Sequence, residues 1–286
     1  MKSIPLLDFL GTPLFLALLL IFVWRQTRQP LRRQRFSVWG RAVRNFVFSA
    51  PAFALLRLTL IPIPLASAWW AQQHGIGLLY WLLAPDWLAG VAGFVYMDWA
   101  YYWWHYATHA VPVLWRFHNV HHTDLDLDVT TAARFHFGEI VASIPFRVVV
   151  VMAFGVRPLT LLVFEICFEA ASLFHHSNWR LPLGLERALN RVIVTPRMHG
   201  IHHSIVRRET DSNWGTIFSF WDRVHRTLRV DLAQDEIEIG VASYRDEREL
   251  TVQRLWTMPF RSQREWRLPN GQVPDRAPRP IKELQP

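Results

Sequence analysis

The chain has 286 residues, of which 51% are hydrophobic and 14% aromatic, and its formal net charge is +8. This composition is typical of a membrane protein. Its arginines crowd beside an apolar stretch, so we expect the basic charge to face anionic lipid rather than nucleic acid. The single cysteine, Cys167, excludes a disulfide framework and a thiolate metal cluster.

Apolar stretches in the first third of the chain predict membrane spans. The first, Ile4 to Trp24, is long enough to cross about 30 Å of hydrocarbon. It leads directly into five arginines and shows no signal-peptide cleavage site, so we expect an uncleaved anchor. A second stretch, Phe46 to Trp70, contains Arg57, whose charge must face the bundle interior or reach the interface. A third span begins near Trp87.

The second half of the chain contains one more apolar block and then becomes polar. Residues 140–174 are apolar, and Gly155 and Pro158 interrupt them, which predicts two helices joined as a hairpin. Beyond His203 the sequence is polar, and prolines and charges dominate the last thirty residues. We therefore predict a loosely ordered C-terminal tail.

Histidines at helical spacing are the strongest signal in the sequence. Residues four apart on a helix lie about 40° apart around its axis, so H-x-x-x-H aims two imidazoles at one point, and we expect H-x-x-H-H to aim three. Composition predicts about 0.03 H-x-x-H-H triples in a random chain of this length, whereas this chain has two. The eight histidines form the groups His105/His109, His118/His121/His122 and His199/His202/His203.

The number of imidazoles predicts two metal ions. A tetrahedral zinc ion takes four ligands, and a catalytic zinc ion takes three protein ligands and a water, so one ion cannot use eight imidazoles. Imidazole binds iron, copper, nickel and zinc, and ligand type therefore leaves the metal open.

Counting spans predicts that the histidine groups share one side of the membrane. The arginine-rich loop follows one span, the first two histidine groups follow three, and the last group follows five. The positive-inside rule places that side in the cytoplasm.

Several ordered motifs surround the histidines. They are DWAYYWWHYATH at 98–109, WRFHNVHH at 115–122, RFHFGE at 134–139, FHHSN at 174–178, TPRMHGIHHS at 195–204 and ETDSNWG at 209–215, followed by Trp221 and Asp222. With these motifs, residues 87–230 resemble the fatty acid hydroxylase superfamily, or sterol desaturase family, of integral-membrane di-iron oxygenases. Tyr106 and Phe137 stand where that family often has arginine and proline, which weakens any transfer of substrate from one of its branches.

The resemblance implies an all-α fold of multi-pass transmembrane helices capped by a cytosolic helical lobe that holds a dinuclear metal site. We expect a membrane anchor region at 1–86, the catalytic domain at 87–230 and the polar tail at 231–286. The implied cofactors are two iron ions (Fe²⁺/Fe³⁺), for which zinc could substitute. The implied ligands are His105, His109, His118, His121, His122, His176, His199, His202 and His203.

Five further residues are candidates for a ligand or for a group that orients one. Neighbours on a helix point about 100° apart, so we prefer His176 to His175 as a ligand. His136 and Glu139 lie one turn apart beside the second group. Asp98 and Glu169 each lie seven residues before a histidine, where a carboxylate could hold the N–H of a ligating imidazole.

The resemblance implies an O2-dependent enzyme that hydroxylates or desaturates a C–H bond of a lipid such as a sterol, fatty acyl chain or carotenoid. The sequence has no Rossmann glycine fingerprint and no c-type haem motif, so we expect a separate electron donor, namely a reductase, ferredoxin or cytochrome. The alternatives are a dizinc membrane hydrolase, in which a bridging hydroxide attacks an ester or phosphate, and a metal carrier or sensor.

Overall fold

The structure is a computed structural model, and the residues described are 11–276. This part of the chain is helical, and its β-structure is limited to isolated bridges, which confirms the predicted fold class. The helices are α1 (Thr12–Arg28), α2 (Val38–Leu55), α3 (Pro62–His74), α4 (Leu78–Trp81), α5 (Asp86–Ala110), α6 (Pro112–His122), α7 (Phe137–Phe154), α8 (Pro158–His176), α9 (Leu183–Leu189), α10 (Pro196–His202), α11 (Arg207–Thr210), α12 (Phe220–Val224) and α13 (Val252–Thr257).

Three stretches of the described chain are long and apolar enough to cross a membrane, namely Val38–Trp81, Phe137–Phe154 and Pro158–His176. The last two are α7 and α8, so the predicted hairpin is confirmed. In the first stretch a π-helical turn, Leu56–Leu60, joins α2 to α3. The first predicted span lies partly outside the described residues, and its remainder belongs to α1. The predicted third span corresponds to α5, which is not among the three stretches because tryptophan and tyrosine replace many of its aliphatic residues.

Helices α3, α5, α7 and α8 pack into a bundle around an apolar core. Its buried side chains include Leu65, Ala68, Met97, Tyr101, Val150, Val151, Leu161 and Phe164. At one end of the bundle the turns after α3 and α7 touch. A Cβ on Gly77 would lie 2.3 Å from the backbone nitrogen of Gly155, and both glycines have positive φ. Arg157 pairs with Asp86 at this same end. The histidines of α5 and α8 lie at the opposite end of the bundle.

A buried ion-pair network fixes α2 to the lobe that carries the histidines. Arg41 is fully buried and donates to Asp124 at 2.8 and 2.9 Å and to Asp128 at 2.8 Å. Burial opposes ionisation of Asp124, but the Arg41 guanidinium outweighs it and holds the pKa of that carboxyl well below its ordinary value. Asn45 also donates to Asp124, at 3.0 Å. The loop that follows α6 is therefore tied to the N-terminal region.

The C-terminal segment differs from the predicted loose tail. Within the last thirty residues, Met258 is buried beside Val120, and the Trp266 indole N–H donates to the Ile205 carbonyl at 2.6 Å. The preceding residues Val241, Leu250 and Leu255 are buried in the same cluster. The apolar residues that make these contacts are spaced too irregularly to predict a helix or a strand. Polar residues lie between them, so the segment as a whole reads as polar. Residues 277–286 lie outside the described part, and the predicted domain boundaries stay a prediction.

The Arg41 network generates a stability prediction. Replacing Arg41 with methionine leaves buried carboxylates without their cation, so we expect a loss of about 3–5 kcal/mol of unfolding free energy. The matched control is Arg35→Ala, because Arg35 forms an exposed pair with Glu238 and should change stability by about 1 kcal/mol or less. Thermal unfolding in detergent measures both. Equal midpoints for the two variants would contradict the structural role of Arg41.

Candidate metal centre

The ends of four helices bring the predicted histidines together. His105 and His109 lie in the last turns of α5, and His176 is the last residue of α8. Helices α6 and α10 carry the two H-x-x-H-H motifs, and each of these short helices begins with a proline, which is pre-organised for the first helical position. The expected convergence of the three histidine groups is therefore present in the structure.

The histidines form two groups, in each of which the potential ligand atoms lie within 4.8 Å of one another. We name them group one and group two. Group one is His105, His109, His118, His122 and His202, and group two is His121, His176, His199 and His203. Every histidine that the sequence nominated as a ligand belongs to one of them.

Each H-x-x-H-H motif divides between the two groups, which corrects the expectation that it aims three imidazoles at one point. The first and last histidines of a motif are four residues apart and share a group, as His118 and His122 do. The middle histidine precedes the last by one residue, so it points about 100° away. Hence His121 belongs to group two, although His118 and His122 belong to group one. In the second motif His202 belongs to group one, although His199 and His203 belong to group two.

The spacing of the imidazole nitrogens matches that around a metal ion. Nε2 of His122 lies 3.1 Å from Nε2 of His109 and 3.2 Å from that of His118. In group two, Nε2 of His199 lies 3.0 Å from that of His176 and 3.1 Å from that of His203. Two nitrogens about 2.1 Å from one ion and at right angles to each other are about 3.0 Å apart.

Hydrogen bonds on the outer side of the rings leave lone pairs pointing inward. Nδ1 of His105 lies 3.0 Å from the Trp214 carbonyl, and Nδ1 of His202 lies 2.8 Å from the Ser212 carbonyl. Likewise, Nδ1 of His176 is 2.8 Å from the Ser172 carbonyl. A carbonyl only accepts, so the proton must be on Nδ1 and the lone pair on Nε2. These lone pairs face other imidazoles, an arrangement that a cation between them stabilises.

Burial keeps the imidazoles in the form that binds metal. Loss of solvation, aided by the neighbouring imidazoles, lowers the pKa of His122, His199 and His202 well below the ordinary histidine value. Nε2 of His202 is buried and has no hydrogen-bond partner among the described residues. Neutral imidazole with a free ring nitrogen is the metal-binding species. The residues present therefore fit two metal ions.

Two of the candidate carboxylates act behind the histidines. Glu139 accepts from Nδ1 of His118 at 3.0 Å, the contact expected of a carboxylate that orients a ligand. Among the described residues, Asp98 forms no hydrogen bond or ion pair with a histidine. It accepts from the backbone N–H groups of Ile217 and Phe218 at 3.0 and 3.1 Å and from the Thr216 hydroxyl at 2.8 Å. It thus holds the loop whose carbonyl bonds to His105.

The other three candidates do not join either group. His136 uses both ring nitrogens elsewhere, because Nδ1 accepts from the Gly138 N–H at 2.9 Å and Nε2 lies 3.2 Å from the Trp256 carbonyl. His175 is buried against the His199 ring, with centroids 4.1 Å apart. Glu169 does not orient His176, because the Ser172 carbonyl already occupies Nδ1 of that ring.

Sequence reasoning missed the backbone carbonyls of Ser172, Ser212 and Trp214. Any residue presents a carbonyl, so the sequence contains no signal for them. Asp222 was part of a quoted motif, and the structure shows its contribution: it accepts from the N–H groups of Trp214 and Gly215, both at 2.8 Å. It therefore helps to fix the loop that orients His105.

Both groups lie at the wall of a cavity between the membrane helices. The cavity has a volume of about 110 Å³. Histidines of both groups line one part of it. Its remaining wall is mainly apolar and includes Leu56, Leu60, Trp104, Ile140, Phe146 and Phe168.

The family model for fatty acid hydroxylase matches residues 90–227, which contain every proposed ligand. Just under half of the chain, residues 90–227, is thus similar to the fatty acid hydroxylase domain. The resemblance drawn from the histidine motifs is thereby confirmed, and curated relatives from the same superfamily support it. No solved structure matches the chain significantly.

Three relatives illustrate the range of the family. An ornithine lipid hydroxylase of Rhizobium tropici is 30% identical over 152 residues, which is 53% of this chain and 45% of that protein. An alkylglycerol monooxygenase of Xenopus tropicalis is 34% identical over 137 residues, or 47% of this chain and 29% of that protein. A human cholesterol 25-hydroxylase is 28% identical over 135 residues, or 46% and 48%. The chain thus spans less than half the length of each.

The division of the histidines generates a prediction about metal content. With two groups, the protein supplied with metal in mild detergent should hold about two ions per chain. The double variant His118→Ala/His122→Ala removes two ligands of group one alone and should hold about one ion, measured by elemental mass spectrometry. His136→Gln is the control and should keep both ions, because His136 belongs to neither group. Retention of two ions by the double variant would contradict the assignment.

Proposed function

We propose that the protein is a membrane-bound di-iron oxygenase that uses O2 and external electrons to hydroxylate or desaturate a C–H bond of a lipid. The observation that supports this most directly is the position of the histidine groups. They lie at the wall of an apolar cavity between helices long enough to cross a membrane. An alkyl chain that enters from the bilayer therefore reaches the metal centre without crossing water.

The proposed ligands are the nine histidines of groups one and two, and we propose iron as the metal, with zinc as a possible substitute. Bound iron would supply the reaction with O2 that an unactivated C–H bond requires and that no protein side chain provides. Glu139 would hold the His118 ring in one tautomer and orientation. The carbonyls behind His105, His176 and His202 would do the same for those rings.

The cavity wall would bind and orient the substrate. Trp104 and Phe146 stack with ring centroids 4.8 Å apart, and Phe168 packs edge-on against Tyr101 at 5.1 Å. These packed rings would confine an alkyl chain and exclude water from the reacting carbon. Such positioning selects one C–H bond among many of similar reactivity.

The hydrolase alternative receives no support. The cited relatives are named as hydroxylases or monooxygenases, and none of these names is that of a hydrolase. We also propose that electrons arrive from a separate reductase, ferredoxin or cytochrome, and that the metal centre faces the cytoplasm. The arginine-rich segment after α1 supports this orientation, because cytoplasmic loops of membrane proteins carry an excess of arginine and lysine.

Isotope labelling tests the reaction. Cells that express the protein under labelled O2 should accumulate a lipid with one additional labelled oxygen, or a lipid that lacks two hydrogens, as detected by untargeted mass spectrometry. His202→Ala should abolish the change because it removes a proposed ligand. His74→Ala should retain it, since His74 is exposed at the far end of α3. Label taken from water, with turnover in the absence of O2, would establish hydrolysis instead.

Cysteine accessibility tests the orientation. In a Cys167→Ser background, single cysteines at Arg33 and Val230 should be protected from an impermeant maleimide added to intact cells. A cysteine at Leu83, which is 87% exposed near the opposite end of the bundle, should react. Labelling of all three positions after permeabilisation is the control. Reaction at Arg33 in intact cells, with protection at Leu83, would reverse the proposed orientation.

A further inference from the structure

Glu169 is an acidic residue of the membrane bundle that the proposed ligand set does not use. It lies on α8, at the wall of the cavity that reaches the metal centre. The described residues offer its carboxylate neither a hydrogen bond nor an ion pair. A carboxyl group surrounded by membrane helices is costly unless something pairs with it.

The nearest charged groups form their hydrogen bonds and ion pairs with each other and not with Glu169. Glu165, one helical turn earlier, accepts from the Tyr101 hydroxyl at 2.8 Å and pairs with Arg147. The Arg147 guanidinium also lies over the Tyr101 ring, 4.8 Å from its centroid. Arg147, Glu165 and Tyr101 thus bind one another. The Glu169 carboxyl group faces the cavity and has no hydrogen-bond or ion-pair partner among the described residues.

Glu169 also lies where two cavities meet. A second cavity of about 40 Å³ shares Leu56, Phe135, Ile140 and Glu169 with the first. It continues to Phe15 on α1 and to Phe53 on α2, and Phe53 is 38% exposed on the outer side of the bundle. A ligand that extends from this outer side to the metal centre therefore passes the carboxylate.

We propose that the unpartnered Glu169 carboxyl group binds a hydrogen-bond donor on the lipid substrate, with an amine preferred to a hydroxyl because an ammonium group can form an ion pair with a carboxylate. Seven residues separate Glu169 from His176, which corresponds to about 10 Å along the helix axis. The substrate would then be a lipid whose donor group lies about that far from the carbon presented to the metal centre. This distance rests on the proposed function, whereas binding at Glu169 does not.

Binding without turnover tests the proposal. Zinc-loaded protein in detergent is titrated with tritiated hexadecylamine, and hexadecanol and hexadecyl methyl ether compete for the site. The wild type should bind the amine about tenfold or more tightly than the ether, with the alcohol between them. Glu169→Leu should bind the amine no better than the ether. Glu169→Gln should keep the alcohol and lose the preference for the amine. Comparison between variants at one detergent concentration cancels partitioning into micelles.

Stability measurements separate binding from a structural role. Glu169→Leu should not lower the thermal unfolding midpoint, because it removes no hydrogen bond. The matched variant Glu165→Leu should lower it, because Arg147 and Tyr101 lose their partner. Equal affinity of the wild type for amine and ether, or an amine preference that survives in Glu169→Leu, would overturn the proposal. Because no step requires O2, an amine preference without lipid oxidation would support this site and count only against the oxygenase.

Discussion

Imidazole lone pairs that face one another are the constraint on which the rest of the structure depends. In group two, Nε2 atoms only 3.0 to 3.1 Å apart converge from three helices. Carbonyl acceptors hold some of their protons on the outer nitrogens, so an inner proton cannot relieve every contact. Cations between the nitrogens would replace this mutual repulsion with metal–nitrogen bonds. These bonds would be the strongest link between the helix ends.

The surrounding polar contacts keep the helix ends in place for that arrangement. Asp98 and Asp222 fix the loop around Trp214, while Arg41 and Asp124 fix the segment after α6. Each carboxylate is buried and accepts several hydrogen bonds, so its loss would leave donors unsatisfied. The histidines thus depend on side chains that never contact them.

The sequence predicted the histidine set and the helical hairpin because both depend on local spacing and composition. It could not predict the division of each motif between two groups, since a single helix shows only its own angles and the partners of His121 and His202 come from other helices. The carbonyl of Ser172 leaves no trace in the sequence. The packing of Val241 and Leu250 was missed because the positions of these residues in the sequence match the lobe surface that they contact and show no helical period.

The crossed assignment constrains the distance between group one and group two. Helices α6 and α10 each supply ligands to both groups, through neighbouring residues such as His121 and His122. The separation of the groups is therefore set within two short helices and by the stacking of His122 on His203, whose ring centroids are 4.4 Å apart. Movement of a membrane helix would shift His105, His109 or His176 relative to this pair while leaving the pair itself unchanged. Such a movement would change the shape of the cavity without changing the spacing of the two groups.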